Sequence, residues 1–465
     1  MTGPPPSPLK PPSPVRGGVG GGGLPEAMHG RREPPTRLPP LWRGSPPSPR
    51  GGGSTLRLAA SALALSLFAL PALAQTDNKL HGRLELQDAG QLSGPDSLQA
   101  ALGDAAANDA LGNLRLTWEP TWGQWSFMLH YEVAAEDGPG VEIAHLESGL
   151  LKPPPSTWFN LTDTFESRGA LTASQTIDRL AVTYTTPSLV VRVGRQALSW
   201  GSGLVFRPMD LFDPFSPSAT DTEYKPGVDM LYVQQLFSNG SDLQLIVAPR
   251  PDHVGGPPTL GDSSAALHLQ TTIFGHQTTW LLARDHGDWV AAAGINGALR
   301  GATWNVELVP TFEHSGKTAV SALANISDAT TLLGRNATVF GEYFHNGFGV
   351  AGPLALTSLP PDLLGRLARG QLFDTRQDYL ASGMTLEVNP LLTASPTLIA
   401  DLNDGSLFVL FAATYSLADN VTLVGGVQAP IGRRGSEFGG LPLEPAGQVL
   451  IAPPAQVYLQ LRRYF

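Results

Sequence analysis

From Gln75 onward, apolar and polar positions alternate along much of the chain. In Trp125–Val133 the residues Trp125, Phe127, Leu129, Tyr131 and Val133 oppose Ser126, Met128, His130 and Glu132. In Trp304–Phe312, Trp304, Val306, Leu308 and Phe312 oppose Asn305, Glu307 and Thr311; Leu180, Val182 and Tyr184 oppose Arg179, Thr183 and Thr185. Leu407, Val409, Phe411, Ala413 and Tyr415 form one row, and Val421, Leu423 and Val427 another. The chain ends on such a segment, Pro454–Phe465. Val457, Leu459, Leu461 and Phe465 fall on one face, and Tyr458, Gln460, Arg462 and Tyr464 on the other. A period of two is that of a β-strand, whose successive side chains point to opposite faces. Arg463 is the exception, a cation in the apolar row, close enough to the strand end to snorkel.

A soluble sandwich also alternates, so the connections decide. Short turns are predicted at 119–122, 186–188, 238–241, 274–277, 389–391 and 418–420. Between them lie long stretches, roughly 90–110, 135–177, 198–225, 250–262, 347–376 and 432–453, with a few brief connections such as Asp285–Asp288. Short turns at one end and long loops at the other, joining strands of about ten residues, are the signature of a transmembrane β-barrel. Open sheet edges cannot be satisfied in hydrocarbon, so the strands must close into a ring. The predicted fold is all-β: a closed antiparallel barrel of about 18 strands, 16 being the next choice. Apolar rows would face lipid, with Trp118, Trp125, Tyr184 and Phe312 as girdle residues. The aromatic-terminated last strand resembles the closing strand of bacterial outer-membrane β-barrels. That resemblance implies the cell outer membrane as location, and its lipid and the barrel assembly machinery as partners.

The one long apolar run, Leu58–Ala74, follows Arg50 and Arg57 and ends in Ala72-Leu73-Ala74. A basic flank, an apolar centre and small residues before a cut predict a signal peptide over 54–74. Residues 1–53 are rich in Pro, Gly and Arg and predict a disordered extension. The stretch is far too long for the front of a signal peptide, which suggests that translation starts after Met1. Residues 75–465 are then the barrel.

Residues 1–74 hold eight Lys/Arg and two Asp/Glu; the remainder keeps 22 basic and 38 acidic residues, a net charge of −16. Such acidity argues against nucleic acid as a partner. The absence of Cys excludes disulfides, thiolate metal sites and Cys nucleophiles.

Opposite the apolar rows lie Arg83, Glu85, Arg115, Glu119, His130, Glu132, Arg179, Arg192, Asn305, Glu307 and Glu342. In a barrel this wide they imply a wet lumen. Arg83, Arg115, Glu132, Arg179, Arg192, Glu307 and Glu342 are the candidate pore lining, setting selectivity or pairing to stiffen the wall.

The segment Gly194–Ser218, continuing to Met230, departs from the alternation. Trp200, Phe206, Phe212 and Phe215 stand among Gly201, Gly203, Pro208, Pro214 and Pro217, too apolar for an exposed loop. With Trp200, Arg207, Asp210, Asp213, Asp221, Glu223 and Lys225 as its candidate residues, it is expected to fold into or across the mouth, as a constriction or as a latch bracing the wall. Together with Asn336–Gly349 (NATVFGEYFHNGFG), this segment resembles Gram-negative porin-like proteins. The resemblance is specific to outer-membrane proteins and brings no substrate with it.

No metalloprotease helix, nucleophile elbow or phosphate-binding loop occurs. Scattered His residues point to no metal, and no cofactor is expected. Asp285 and His286 could join a rim catalytic site, against the simpler reading of a solvated turn. The sequence thus favours a non-enzymatic channel for passive passage of hydrophilic solutes or export of a polymer. An outer-membrane enzyme with a rim active site and a plugged structural or assembly barrel are the alternatives. Solute charge and oligomeric state are left open.

Overall fold

The computed structural model describes residues 80–465 apart from Lys152 and Ala446. The predicted extension (1–53) and signal peptide (54–74) lie outside the described residues. The first strands are β1 Leu80–Leu92, β2 Ala106–Trp118, β3 Trp125–Asp137, β4 Leu171–Thr185, β5 Leu189–Gln196 and β6 Val228–Leu236. They lead into β7 Asp242–Ala248, β8 Ser264–Ile273, β9 His276–Asp285, β10 Asp288–Leu299, β11 Ala302–Phe312 and β12 Thr318–Leu332. The last six are β13 Arg335–His345, β14 Asp378–Asn389, β15 Leu392–Asp401, β16 Leu407–Ala418, β17 Val421–Ile431 and β18 Ala455–Tyr464. Each pairs antiparallel with the next, and β18 pairs back onto β1, so 18 strands close a ring.

The faces are inverted relative to a soluble protein. On β18, Val457 and Leu459 are 61% and 53% exposed, whereas Tyr458 and Gln460 are 6% and 0% exposed. On β11, Val306 and Leu308 are exposed while Glu307 between them is buried. The outward face is therefore the apolar one, a belt of Leu, Val, Ile and Trp running round the barrel. Such a belt is stable only against hydrocarbon. Among the described residues no helix is long and apolar enough to cross a membrane, so crossing falls to the strands. Aromatic pairs mark both rims of the belt: Trp125 with Tyr184 at 4.9 Å, and Trp289 opposite Phe312 at the other rim. Phe465 closes the last strand, its backbone bonded to Gly82 both ways and its ring lying where a β-carbon of Gly82 would stand.

The connections at 119–124, 186–188, 237–241, 274–275, 300–301, 333–334, 390–391 and 419–420 share one end of the barrel with Leu80 and Tyr464. In the two-residue turns Phe274–Gly275, Arg300–Gly301 and Leu333–Gly334 both residues have positive φ. That is the type I′ geometry which matches strand twist, and Gly at the second position carries it without strain. Long connections crowd the opposite end.

Two stretches differ from expectation. Strands β1 and β2 run into 90–110. The predicted loop 135–177 contains the end of β3, the helix α1 Pro139–Leu151, an edge strand Thr162–Arg168 and the start of β4. Here small and polar residues fill both faces, so Asn108, Asp109, Ser174, Gln175 and Thr176 show no apolar row to announce a strand. A further helix, α2 Pro361–Ala368, lies in the connection 346–377 and buries Leu363 and Arg366.

Candidate functional site

The connection between β5 and β6, residues 197–227, has neither helix nor strand; Gly and Pro at short intervals deny it both. It turns inward. Its base is clamped by Arg195 on β5, whose guanidinium donates twice to Asp229 on β6, at 2.9 Å each. From there it touches the inner wall almost all the way round.

The first limb meets an apolar wall. Trp200, Met209, Leu211 and Phe212 pack against Met230, Ile246, Ala266, Leu281, Val290 and Val309 of β6 to β11. The Trp200 indole N–H donates to Gln244 at 2.9 Å, and its ring stacks on His268 at 4.8 Å. Further on, Phe206 stacks on Phe344 of β13 at 4.8 Å and leans on Tyr379 of β14.

Two wall carboxylates tie down the loop backbone between these clusters. Glu342 on β13 accepts from the amides of Leu204 (2.6 Å), Val205 (2.8 Å) and Phe206 (2.8 Å). Glu307 on β11 accepts from the amide of Ser202 and from its hydroxyl at 2.7 Å. Asn325 on β12 lies between them and donates to the Ser202 carbonyl (2.8 Å) and to Glu342 (3.0 Å). The loop thus offers a run of free N–H groups, and the barrel supplies the anions they need. The tight path requires Gly203: a β-carbon there would stand 1.7 Å from the Phe206 carbonyl oxygen.

The returning limb meets a charged wall. Gln428 on β17 donates to the Ser218 carbonyl at 2.8 Å. Asp221 sits 2.9 Å from Arg83 on β1 and 3.3 Å from Arg462 on β18. Glu223 meets the same two guanidinium groups at 2.9 and 3.5 Å and accepts from the Tyr464 hydroxyl at 2.9 Å. Burial works to raise the Asp221 pKa. The Glu223 amide together with Arg83 and Arg462 outweighs it, and Asp221 is held below the ordinary carboxylate range. Arg115 of β2 lies 3.4 Å over the Tyr224 ring and Arg179 of β4 lies 4.6 Å from it, as His130 of β3 reaches its hydroxyl at 2.5 Å. Lys225 folds back on the loop itself, to Asp210 at 2.7 Å and the Leu198 carbonyl at 2.6 Å.

All seven inner-wall candidates point inward. Arg83, Arg115, Arg179, Glu307 and Glu342 contact the loop as described. Glu132 pairs with Arg115 at 2.8 Å, and Arg192 donates to Thr183 at 2.9 Å. Of the loop candidates, Asp210 and Lys225 are consumed by each other and Asp221 by the wall, while Glu223 is bound to the wall but keeps 41% of its side chain exposed. Arg207 leans over Phe215 at 5.6 Å beside a narrow cleft lined by Phe206, Pro214, Pro217 and, from the connection 346–377, Phe373. Asp213, with φ of 50°, borders a second cleft with Arg250, His286 and Arg369. Sequence reasoning placed Arg462 on a polar row and left Asn325, Tyr224 and His268 unassigned, because nothing local distinguishes an inward residue that meets a loop from one that meets water.

Near the outer rim, Asp285 accepts from the Ser264 hydroxyl and from Gln371 at 2.7 Å, with Arg250 at 3.7 Å. The Ser264 hydroxyl thus links Asp285 and Arg250, donating to Asp285 and accepting from Arg250. The adjoining mouth is held by a second group of acids. Glu437 accepts from the Thr375 amide at 2.7 Å and from the Tyr379 hydroxyl, and its own amide donates to Asp404 at 2.8 Å. Burial, reinforced by Glu437 and Asp401, pushes Asp374 well above the ordinary carboxyl range, and burial raises Glu437 as well.

No protein-family model matches this chain, and neither does any curated protein. Solved structures do show similarity in chain course. OccAB1 of Acinetobacter baumannii is 10% identical over 83% of this chain and 96% of that one, with a TM-score of 0.47. OpdQ of Pseudomonas aeruginosa is 9% identical over 84% and 99%, with a TM-score of 0.48. A BenF-like porin of Pseudomonas fluorescens Pf-5 is 10% identical over 83% and 98%, with a TM-score of 0.46. The closed barrel itself rests on the strand pairings.

Proposed function

We propose that this chain is an outer-membrane channel through which small hydrophilic solutes pass passively, in a lumen narrowed by residues 197–227. One observation carries this reading: a loop bound inside a lipid-facing barrel, with wall groups on both sides shaped to hold it. The long-connection end faces outward and the short turns face the periplasm, by the architecture common to such barrels. Arg83, Arg115, Glu132, Arg179, Arg192, Glu307 and Glu342 bound the lumen. Of these, Arg83, Glu307 and Glu342 act chiefly as holdfasts, because their charges are taken up by loop groups. Arg207, Asp213 and the surfaces of Tyr224 and Glu223 are the loop groups left to meet a solute.

A second reading draws on the same ring of contacts: a loop bound so completely could plug the barrel and leave a structural protein. Reconstitution of the folded protein in a planar bilayer separates the two. Discrete conductance steps support the channel; a pure, heat-modifiable protein that gives none supports the plug.

A further inference from the structure

In the closed ring β1 and β18 are neighbours, but in the chain they lie at opposite ends of the barrel sequence, so their pairing is the one that turns a sheet with two open edges into a barrel. Across this seam, inside the lumen, stand Arg83 and Glu85 on β1 and Arg462 and Tyr464 on β18. Glu85 reaches Arg462 at 3.1 Å and Arg83 at 3.3 Å. That leaves two largely buried guanidinium groups facing one carboxylate, an arrangement short of one negative charge. The missing charge comes from elsewhere in the chain. Asp221 bridges Arg83 and Arg462, and Glu223 bridges both of them and the Tyr464 hydroxyl. Each loop carboxylate therefore holds one strand from either side of the seam at once.

We infer that residues 219–224 have a second function besides narrowing the lumen: they are the internal clasp of the barrel seam, so that loop docking and ring closure stabilise each other. The coupling follows from reciprocity, since whatever favours the closed seam favours the docked loop by the same factor. The inference does not depend on whether the lumen conducts.

The test is hydrogen–deuterium exchange, resolved by segment, on the full barrel in detergent micelles or bilayers. The variant Asp221→Asn with Glu223→Gln removes both clasp charges and leaves the other limb untouched. Its expected result is exchange about tenfold faster at the seam amides of Leu84–Gly90 and Val457–Leu461, on the scale of a local opening equilibrium. The variant Glu342→Gln, which frees the opposite limb, is expected to leave the seam at the wild-type rate. Faster exchange confined to residues 219–224, with the seam unchanged, would overturn the inference. So would an equal loosening of the seam by Glu342→Gln. Should the double variant fail to fold, Tyr464→Phe removes a single bond to Glu223, and a smaller rise at the same amides is expected; no rise there would equally overturn it.

Discussion

The two limbs of the lumen loop are held to opposite walls by opposite chemistry. Residues 200–212 lie on an apolar wall from β6 to β16, where Trp200, Met209 and Phe212 are nearly inaccessible to solvent, and two carboxylates satisfy the backbone between the packed clusters. Residues 218–225 lie on a charged wall from β17 to β4, where the contacts are ion pairs and a cation over an aromatic face, and Glu223 stays exposed to the lumen. The first limb is anchored chiefly by burial, which has no charge of its own to screen or titrate, with Glu307 and Glu342 as its charged holds on the wall. The second is anchored by charge, which responds to both. A single loop thus has one permanent and one adjustable attachment, and perturbations should separate them.

The largest effect is expected on the permanent side. Phe212→Ala removes a buried ring and should cost about 3–5 kcal/mol of loop docking. A rise in single-channel conductance together with faster proteolysis within 197–227 would show it. Next, Glu342→Gln keeps one acceptor oxygen but leaves loop amides short of a charged partner, a loss of about 1–3 kcal/mol. Amide exchange of Leu204, Val205 and Phe206 should quicken, while residues 219–224 keep the wild-type rate; no change at those three amides would mean the wall carboxylate is incidental.

A smaller effect distinguishes the charged side. Because Asp221 is held below the ordinary carboxyl value, its contribution is present above about pH 4 and is lost as pH falls through its lowered pKa. Acid should therefore loosen the returning limb first, read as exchange at 219–224, and Asp221→Asn should abolish that dependence. The smallest effect has the opposite sign and lies at the mouth. The carboxyl groups of Asp374 and Glu437 sit above their ordinary range, so they favour the fold when protonated. That advantage declines as pH rises from about 4 through their raised values. Connections 346–377 and 432–454 should loosen with rising pH, and Asp374→Asn should flatten the trend in limited proteolysis.

Much of this architecture is legible in the sequence because lipid enforces it. A strand crossing hydrocarbon must show an apolar row, so Val457-Leu459 and Val306-Leu308 announced both the strand and its outward face. The strand count and the unequal connections follow from the same constraint. Where small and polar residues fill both faces, as at 106–110 and 171–176, no such row exists and the strands merge with the predicted loops. The loop betrayed itself by composition, since Trp200, Phe206 and Phe212 needed cover. Its partners were illegible: Glu342 meets Val205, and Arg462 meets Asp221, across more than a hundred residues, and an inward Glu on β13 looks the same whether it binds a loop amide or water.

The central claim is that an anchored loop narrows an open lumen. Single-channel conductance in a planar bilayer, compared between the wild-type barrel and a variant carrying both Phe212→Ala and Glu342→Gln, tests it most directly. Discrete steps are expected from the wild type, and larger steps from the variant with its first limb released. Steps of equal size from both, each barrel being folded, would contradict it.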